Sequence, residues 1–334
     1  MKISLVIPTL NREESLRKVF EDLRKQSHKD FEAVILDGGS SDGTANACRD
    51  YADYFTLSFH RQKRPGIVAA MNEALEYCHG DIFTRTDDDV SLPQGWLSEI
   101  VSAFSRYPAA GVTGPTIIPQ ERMSNRDLLL FNEKIRDSSN PFWIGFRKLY
   151  HGYFMEGDPF GVARFFRSGA FSLGSNYESS RNIKDIKEVD YLESCNWSMR
   201  LDLIRKVGGF DERYGGVSEY FEADCVFRVK RLGHKMYFNP GAYIYHLVDK
   251  GGNFKARSGT YSRMHNFILF YLRNIKSNTP DKTARFTLYL LFMNIYYVYC
   301  FLRDKNIRQL SGIIATPVSI VRYFREIFKQ VTEI

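Results

Sequence analysis

The chain has 334 residues, 44% of them hydrophobic and 25% charged, so it can bury a large globular core and is not an intrinsically disordered protein. Its formal net charge of +7 suits anionic partners, and composition alone does not separate phospholipid, nucleic acid and phosphorylated small molecules. The five cysteines are widely spread without a Cys-X-X-Cys pair, which indicates neither a disulfide framework nor a zinc finger and suits a reduced cytosolic protein.

The first 90 residues alternate β-type apolar runs with helical periodicity, the pattern of a largely parallel sheet covered by helices on both faces. The predicted strands cover residues 4–8, 31–36, 55–59 and 81–86. Asn11 and Glu14 have the spacing of a helix-capping box after the first strand. The apolar stretch that ends at Pro8 is too short for a secretory signal.

Polar clusters follow three of these strands. They are Pro8-Thr9, Asp37-Gly38-Gly39 and Asp87-Asp88-Asp89. Ligands of open α/β sheets bind outside the carboxyl ends of the strands, so we expect the functional site at this edge.

The second half of the chain is less regular. Residues 120–190 are rich in Gly, Ser, Asn and aromatic residues, which predicts a long variable stretch with little regular structure and with acceptor contacts. Residues 193–200 read as a strand, and two helices follow it.

A C-terminal segment, residues 286–302, carries no charge and lies between Arg285 and Arg303. Its 17 residues are at the short limit for a transmembrane helix. Because it contains Asn294 and four tyrosines and has basic flanks, we expect peripheral contact with anionic lipid rather than a membrane span.

The three consecutive aspartates predict a cation site, because adjacent carboxylates repel one another and a cation offsets that cost. Oxygen ligands favour Mg²⁺ or Mn²⁺, which commonly bind through one or two carboxylates together with substrate phosphates. A nucleotide diphosphate leaving group suits such an ion. A solvated acidic turn is the alternative interpretation.

Six segments carry a family resemblance as a set: VIPTLNRE, LDGGSSDGT, PGIVAAMNEAL, TDDDVSLPQGWL, GGFDE and EYFEADCVFRVKRLG. Their order and spacing resemble the family 2 glycosyltransferases. The resemblance implies a GT-A fold, an α/β open sheet that binds a nucleotide and has helices on both faces, over residues 1–273. Within it we expect a nucleotide-binding half (1–118), a variable acceptor-side segment (119–192) and a catalytic-base and acceptor half (193–273), followed by an amphipathic helical extension (274–334).

The resemblance also assigns the donor site. Positions that match donor-binding residues are Pro8, Thr9, Glu14, Asp37, Gly38, Asn72, Asp87 and Asp88. Asp37 could instead form an Asx-turn, and Asn72 could be a helix-surface amide. Asp88 could point away from the donor, since side chains alternate along an extended segment.

The implied metal is Mn²⁺ or Mg²⁺, held chiefly by Asp89 with Asp87 and His246. The implied catalytic base is Glu222. Phe221 stands where the family commonly has an acid, which leaves Glu219 as an alternative base. Asp224 and Arg228 are spaced i, i+4 and could simply pair on a helix.

The expected function is inverting transfer of a sugar from a UDP-, GDP- or dTDP-sugar to a glycan or a polyprenyl-phosphate-linked acceptor, at the cytoplasmic face of a membrane. Three other functions are alternatives: a catalytically inactive relative, a basic nucleic-acid-binding protein and a sugar nucleotidyltransferase. The intact acids disfavour the first, and the scattered basic residues disfavour the second and any nucleic-acid partner. The third requires a glycine-rich loop after the first strand, where NREES stands instead.

Overall fold

The structure is a computed structural model that describes residues 1–122, 126–216, 219–249, 260–275 and 279–332. Its strands are β1 (Ile3–Thr9), β2 (Phe31–Asp37), β3 (Thr56–Arg61), β4 (Ile82–Arg85), β5 (Val90–Ser91), β6 (Ala109–Thr113), β7 (Thr116–Ile117), β8 (Lys187–Val189), β9 (Trp197–Arg200), β10 (Lys235–Phe238) and β11 (Ile244–His246). Its helices are α1 (Glu13–Arg24), α2 (Thr44–Tyr51), α3 (Ile67–Tyr77), α4 (Trp96–Arg106), α5 (Arg126–Asp137), α6 (Pro141–Arg147), α7 (Leu201–Lys206), α8 (Phe221–Lys230), α9 (Thr260–Phe270), α10 (Pro280–Asp304) and α11 (Ser311–Thr332).

Eight strands form the main sheet in the order β3-β2-β1-β4-β9-β6-β10-β8. The first four strands are parallel, as their pattern predicts, and β10 is parallel to β6. Strand β9 enters between β4 and β6 in the antiparallel direction, so the sheet is mixed beyond β4. A second, three-stranded sheet has the order β5-β11-β7.

Both faces of the main sheet are covered, and β1 shows why. Its side chains alternate between the faces, so Leu5 and Ile7 join the core beneath α1 and α4, while Val6 joins the core beneath α3, α7 and α8. Residues from both helix layers are fully buried, among them Phe20 and Trp96 on the first face. Because β1, β2 and β4 are parallel, their carboxyl ends meet at one edge of the sheet.

The predicted capping box at α1 is wrong. Arg12 precedes the helix as its N-cap residue and makes no side-chain capping hydrogen bond. Asn11 has a φ of 51°, and its Oδ1 accepts a hydrogen bond of 2.8 Å from the backbone N–H of Ser41. The amide is therefore used to hold the loop after β2 rather than to cap α1.

The prediction of little regular structure for residues 120–190 is wrong for its first part. Helix α5 is followed by α6, which continues into a π-helical segment, Lys148–Phe154. Tyr150 and Phe154 of this segment are buried, and both rings pack against Phe292 of α10. Aromatic rings that contact neighbours on several sides do not give a clean helical period, which hid these helices in the sequence.

The C-terminal helices pack against the domain. Helix α10 contains the uncharged segment, and it is long and apolar enough, by length and composition, to cross a membrane. Only 28% of its most apolar window is buried in the protein. Helix α11 packs along α9.

Candidate active site

The three consecutive aspartates, Asp87-Asp88-Asp89, form an acidic triplet in the turn between β4 and β5. Two of their carboxylates face a histidine. Strand β11 pairs with β5 so that His246 lies opposite Val90, immediately after Asp89. Nε2 of His246 is 3.2 Å from Oδ1 of Asp89 and 3.7 Å from Oδ2 of Asp87. Two carboxylate oxygens of the triplet therefore lie near the same ring nitrogen.

The groups around His246 favour its protonated form. Burial alone would lower its pKa, but the neighbouring Cys195, Asp89 and Asp87 together raise the pKa of His246 to about 11. Its Nδ1 lies 3.6 Å from the Sγ of Cys195. A protonated imidazole offsets part of the charge of the two carboxylates.

Asp89 is fixed from a second direction. Its Oδ2 accepts hydrogen bonds from Nη1 of Arg12 at 2.6 Å and from the backbone N–H of Asp249 at 3.0 Å. Burial opposes ionisation, but His246 and Arg12 hold the pKa of Asp89 well below its usual range. Oδ1 lies 3.2 Å from Nε2 of His246. Among the described residues, the ligand atoms that lie within 4.8 Å of one another are those of Asp87, Cys195 and His246.

Asp88 has different neighbours. Its Oδ2 accepts a hydrogen bond of 2.8 Å from the hydroxyl of Thr9, and its Oδ1 lies 3.6 Å from Nη1 of Arg12. Burial raises the pKa of Asp88 to about 7 despite the guanidinium nearby. Asp88 therefore ties the turn to the end of β1.

Glu222 lies in the first turn of α8 and is 6% exposed. Its Oε1 accepts hydrogen bonds from Nη1 of Arg85 and, at 2.7 Å, from the hydroxyl of Ser194. Burial raises the pKa of Glu222, while Arg85 and Ser194 oppose that rise. Nη2 of Arg85 donates to Oδ1 of Asp87 at 2.9 Å, so one guanidinium joins Glu222 to the acidic triplet.

The other acids near α8 have structural partners. Glu219 is partly exposed and accepts a hydrogen bond of 2.9 Å from Nε of Arg263. Asp224 is fully buried and accepts from Nε of Arg228 at 2.8 Å and from the hydroxyl of Tyr214 at 3.1 Å. The i, i+4 pair is therefore present, and Asp224 holds α8 to its surroundings.

The ends of β1 and β2 form the other side of the edge. The carboxylate of Asp37 accepts the backbone N–H of Ser40 at 3.0 and 3.1 Å, which makes the Asx-type turn. The N–H of Gly38 donates to the carbonyl of Thr9 at 2.8 Å and joins the two strand ends. Pro8 and Thr9 complete this side at the end of β1.

Two residues matched to the donor site have other surroundings. The amide of Asn72 donates to the carbonyl of Phe210 at 2.9 Å and accepts from its N–H at 2.8 Å, which fixes the loop after α7. Glu14 is exposed in the first turn of α1. Three basic residues that follow His246 in the sequence, Lys250, Lys255 and Arg257, lie outside the described residues.

Sequence reasoning missed four residues of the site: Arg12, Arg85, Ser194 and Cys195. Arg85 had a usable signal, because it precedes Asp87 by two positions in an extended segment and so projects to the same side. Ser194 and Cys195 reach the site because β9 lies beside β4. No local pattern indicates that pairing.

The family model for glycosyl transferase family 2 matches residues 4–172, about half of the chain. The chain is 24% identical over 251 residues to the GalNAc(5)-diNAcBac-PP-undecaprenol beta-1,3-glucosyltransferase of Campylobacter jejuni, covering 58% of this chain and 79% of that protein. It is 26% identical over 257 residues to the glucosyl-dolichyl phosphate glucuronosyltransferase of Haloferax volcanii, covering 74% and 70%. A shorter match, 27% identical over 109 residues, covers 32% of this chain and 16% of the glycosyltransferase GlyA of Streptococcus pneumoniae.

Solved structures show the same fold. The mannosyltransferase PcManGT from Pyrobaculum calidifontis, in complex with GDP-Man and Mn²⁺, superposes with a TM-score of 0.53 at 15% identity, covering 96% of this chain and 73% of that chain. Residues 1–349 of Staphylococcus aureus TarS, in complex with UDP-GlcNAc, superpose with a TM-score of 0.57 at 15% identity, covering 93% and 78%. The predicted family and fold are thus confirmed. The chain belongs to glycosyl transferase family 2 and is a glycosyltransferase with the GT-A fold.

Proposed function

We propose that the protein transfers a sugar from a nucleotide diphosphate sugar to a hydroxyl of a glycan or lipid-linked acceptor, with a divalent metal and with inversion of configuration. One observation carries the proposal: Asp87, Asp89 and His246 converge at the strand edge, and Arg85 joins them to the buried Glu222. The relatives support the donor and acceptor classes, since they include structures with GDP-Man and UDP-GlcNAc and an enzyme named for an undecaprenol-linked substrate.

On the donor side, the ends of β1 and β2 would receive the nucleoside. Pro8, Thr9, Asp37 and Gly38 lie there, and their backbone groups are already joined by hydrogen bonds. Mn²⁺ or Mg²⁺ held by Asp87, Asp89 and His246 would offset the charge that develops on the diphosphate as the glycosidic bond breaks.

Glu222 is the proposed general base. Arg85 and Ser194 both bond its Oε1, and we assign removal of the acceptor hydroxyl's proton to Oε2. Burial makes the carboxylate more basic, and Arg85 keeps it ionised and oriented. The hydroxyl oxygen then attacks the anomeric carbon opposite the leaving diphosphate.

A thermal-shift experiment tests the metal and the donor together. UDP, GDP and dTDP are each added with Mn²⁺ or with a chelator. A ligand at 100 times its Kd stabilises the folded chain by about 2.7 kcal/mol, which is a shift of several degrees at about 2–4 °C per kcal/mol. We expect a shift with one nucleotide that chelation removes and that Asp89→Asn abolishes. A folded protein that responds to none of them would indicate an inactive relative.

We also propose that α10 and α11 contact the cytoplasmic face of a membrane, where a lipid-linked acceptor would be presented. Both helices expose apolar side chains: Leu288, Leu291, Ile295, Val298 and Leu302 on α10, and Ile314, Val318 and Val321 on α11. The α10 residues recur at alternating spacings of three and four, so they form one stripe. Exposed basic residues border this apolar surface: Arg303, Lys305, Arg308, Arg322 and Arg325.

The opposite face of α10 supports peripheral contact rather than a span. Phe286, Tyr289 and Tyr297 are buried, and Phe286 stacks on Tyr271 with ring centroids 3.7 Å apart. A helix that is packed against its own domain on one side can present only the other side to lipid.

A further inference from the structure

The outer face of α6, and of the π-helical segment that continues it, is apolar. Within Pro141–Phe154, which the structure describes throughout, Phe142 is 69% exposed and Leu149 is 46% exposed. Gly145 and Gly152 are exposed as well, and the spacings of three, four and three place these four residues in one stripe, which we call the α6 face. The solvent side of a surface helix normally carries polar and charged residues. An apolar stripe in that position indicates a partner.

The α6 face continues into the exposed apolar stripe of α10 through two half-buried rings. Phe146 lies four residues after Phe142 and three before Leu149, so it borders the α6 face. Phe292 borders the α10 stripe in the same way, four residues after Leu288. The centroids of the Phe146 and Phe292 rings are 6.0 Å apart. The two apolar stripes therefore meet and form one surface.

Contacts at the end of the π-helical segment fix this arrangement. The guanidinium carbon of Arg285 lies 4.0 Å from the centroid of the Tyr153 ring, and Nη1 of Arg285 donates a hydrogen bond to the carbonyl of Tyr153. The ring of Phe154 packs against Tyr289 of α10 with centroids 5.5 Å apart. The α6 face is therefore held beside α10 by packed side chains, and both face the same partner.

The charges around the α6 face favour an anionic partner. No Asp or Glu occurs from residue 138 to residue 155, whereas Lys148 is exposed within the same helical turns. Lys134 of α5 is exposed too, and its Nζ lies 4.9 Å from the centroid of the Trp143 ring. Aromatic rings combined with lysine are typical of protein surfaces at the headgroup level of a membrane, because both side chains have an apolar body and a polar end.

We propose that the α6 face lies on anionic lipid together with α10 and α11. The inference rests on the proposed membrane contact of those two helices and extends it to the segment expected on the acceptor side. A lipid-linked acceptor and the part of the chain that receives it would then share one lipid surface. Binding through three helices also fixes how the domain is oriented on the membrane, which a single helix does not.

Trp143 is a natural probe of this contact. The chain has three tryptophans, and Trp96 and Trp197 are fully buried in the core, whereas Trp143 is partly exposed. Vesicles of phosphatidylcholine and phosphatidylglycerol are prepared with and without bromine atoms on the acyl chains. We expect brominated lipid to quench the fluorescence of the vesicle-bound protein, and Trp143→Phe to bind without that quenching. Bound protein that bromine does not quench would overturn the inference and retain contact through α10 and α11.

Substitutions test the same face by affinity. Phe142→Glu and Leu149→Glu should each weaken vesicle binding about tenfold or more, because a buried apolar side chain is replaced by a charge of the same sign as the lipid. Both residues are exposed, so thermal unfolding should change little. Tyr54→Glu is the control, since Tyr54 is 55% exposed between α2 and β3, and it should bind as the wild type does. Wild-type affinity in both Phe142→Glu and Leu149→Glu would refute the inference.

Two further results separate this inference from its alternatives. Self-association without lipid, measured by sedimentation equilibrium and abolished by Phe142→Glu in a protein that does not bind vesicles, would assign the α6 face to a second copy of the chain and overturn the inference. The nucleotide experiment reports separately on the transferase. A nucleotide-induced shift in a protein that does not bind vesicles would retain the proposed reaction and remove every membrane contact, including this one.

Discussion

Replacing Glu222 with Gln tests the assignment of the base. Gln keeps the size of the side chain and can still accept the Ser194 hydroxyl, but it removes the carboxylate that would take the acceptor's proton. A positioned general base contributes about 10²–10⁴-fold to a rate, so kcat should fall by that factor. Donor affinity should change little, because the hydrogen bonds of Glu222 are to Arg85 and Ser194.

The same substitution has a predictable cost in stability. Removing one partner of a buried ion pair costs about 3–5 kcal/mol. Arg85 keeps its hydrogen bonds to Asp87 at 2.9 Å and to the carbonyl of Ser194 at 2.8 Å, so we expect the lower end of that range. Thermal unfolding must therefore be measured beside activity, at a temperature where the variant is folded.

Glu219→Gln is the matched control. Glu219 is partly exposed and paired with Arg263, and such pairs contribute about 0–1 kcal/mol, so neither stability nor kcat should change much. Steady-state kinetics with donor and acceptor varied separately give both constants. A folded Glu222→Gln enzyme with near-normal kcat would refute the assignment, and loss of activity in Glu219→Gln would transfer the role to that residue.

Three further results are expected. Arg85→Gln should lower kcat about 10–100-fold, and Arg85→Lys should recover only part of the loss, since an ammonium lacks the planar fork of the guanidinium; a normal kcat in both would exclude the bridge. Burial raises the pKa of Asp88 to about 7, so the free energy of unfolding should fall as pH rises from about 4 to 7, by at most about 4 kcal/mol. Asp88→Asn should flatten this pH dependence in thermal unfolding with a chelator present. An unchanged slope would contradict the assignment of the shift to burial. Ile295→Glu should weaken binding to anionic vesicles at low salt; wild-type protein that ignores such vesicles would remove the membrane proposal.

Much of the fold could be predicted because its signals are local. The order β1, α1, β2 follows from the spacing of apolar residues, which differs between a strand and a helix because each must direct its apolar side chains into the core. That spacing can be recognised within a short stretch of sequence. The position of Asp87–Asp89 at a strand's carboxyl end followed from the same pattern. The prediction of a capping box at Asn11 is wrong because a side-chain amide has several backbone groups within reach. Its Oδ1 accepts a hydrogen bond from the loop after β2 instead.

The class of fold, the family and the acidic edge are therefore predictable from the sequence, because apolar period, turn chemistry and motif order are properties of neighbouring residues. Which side chains meet at that edge depends on the tertiary structure. Arg85 reaches Glu222 across 137 positions, and Cys195 reaches His246 across 51. Those contacts depend on β9 entering beside β4 and on β11 pairing with β5. Strand pairings of this kind are chosen by the burial of the whole sheet, and no short stretch of sequence contains that information.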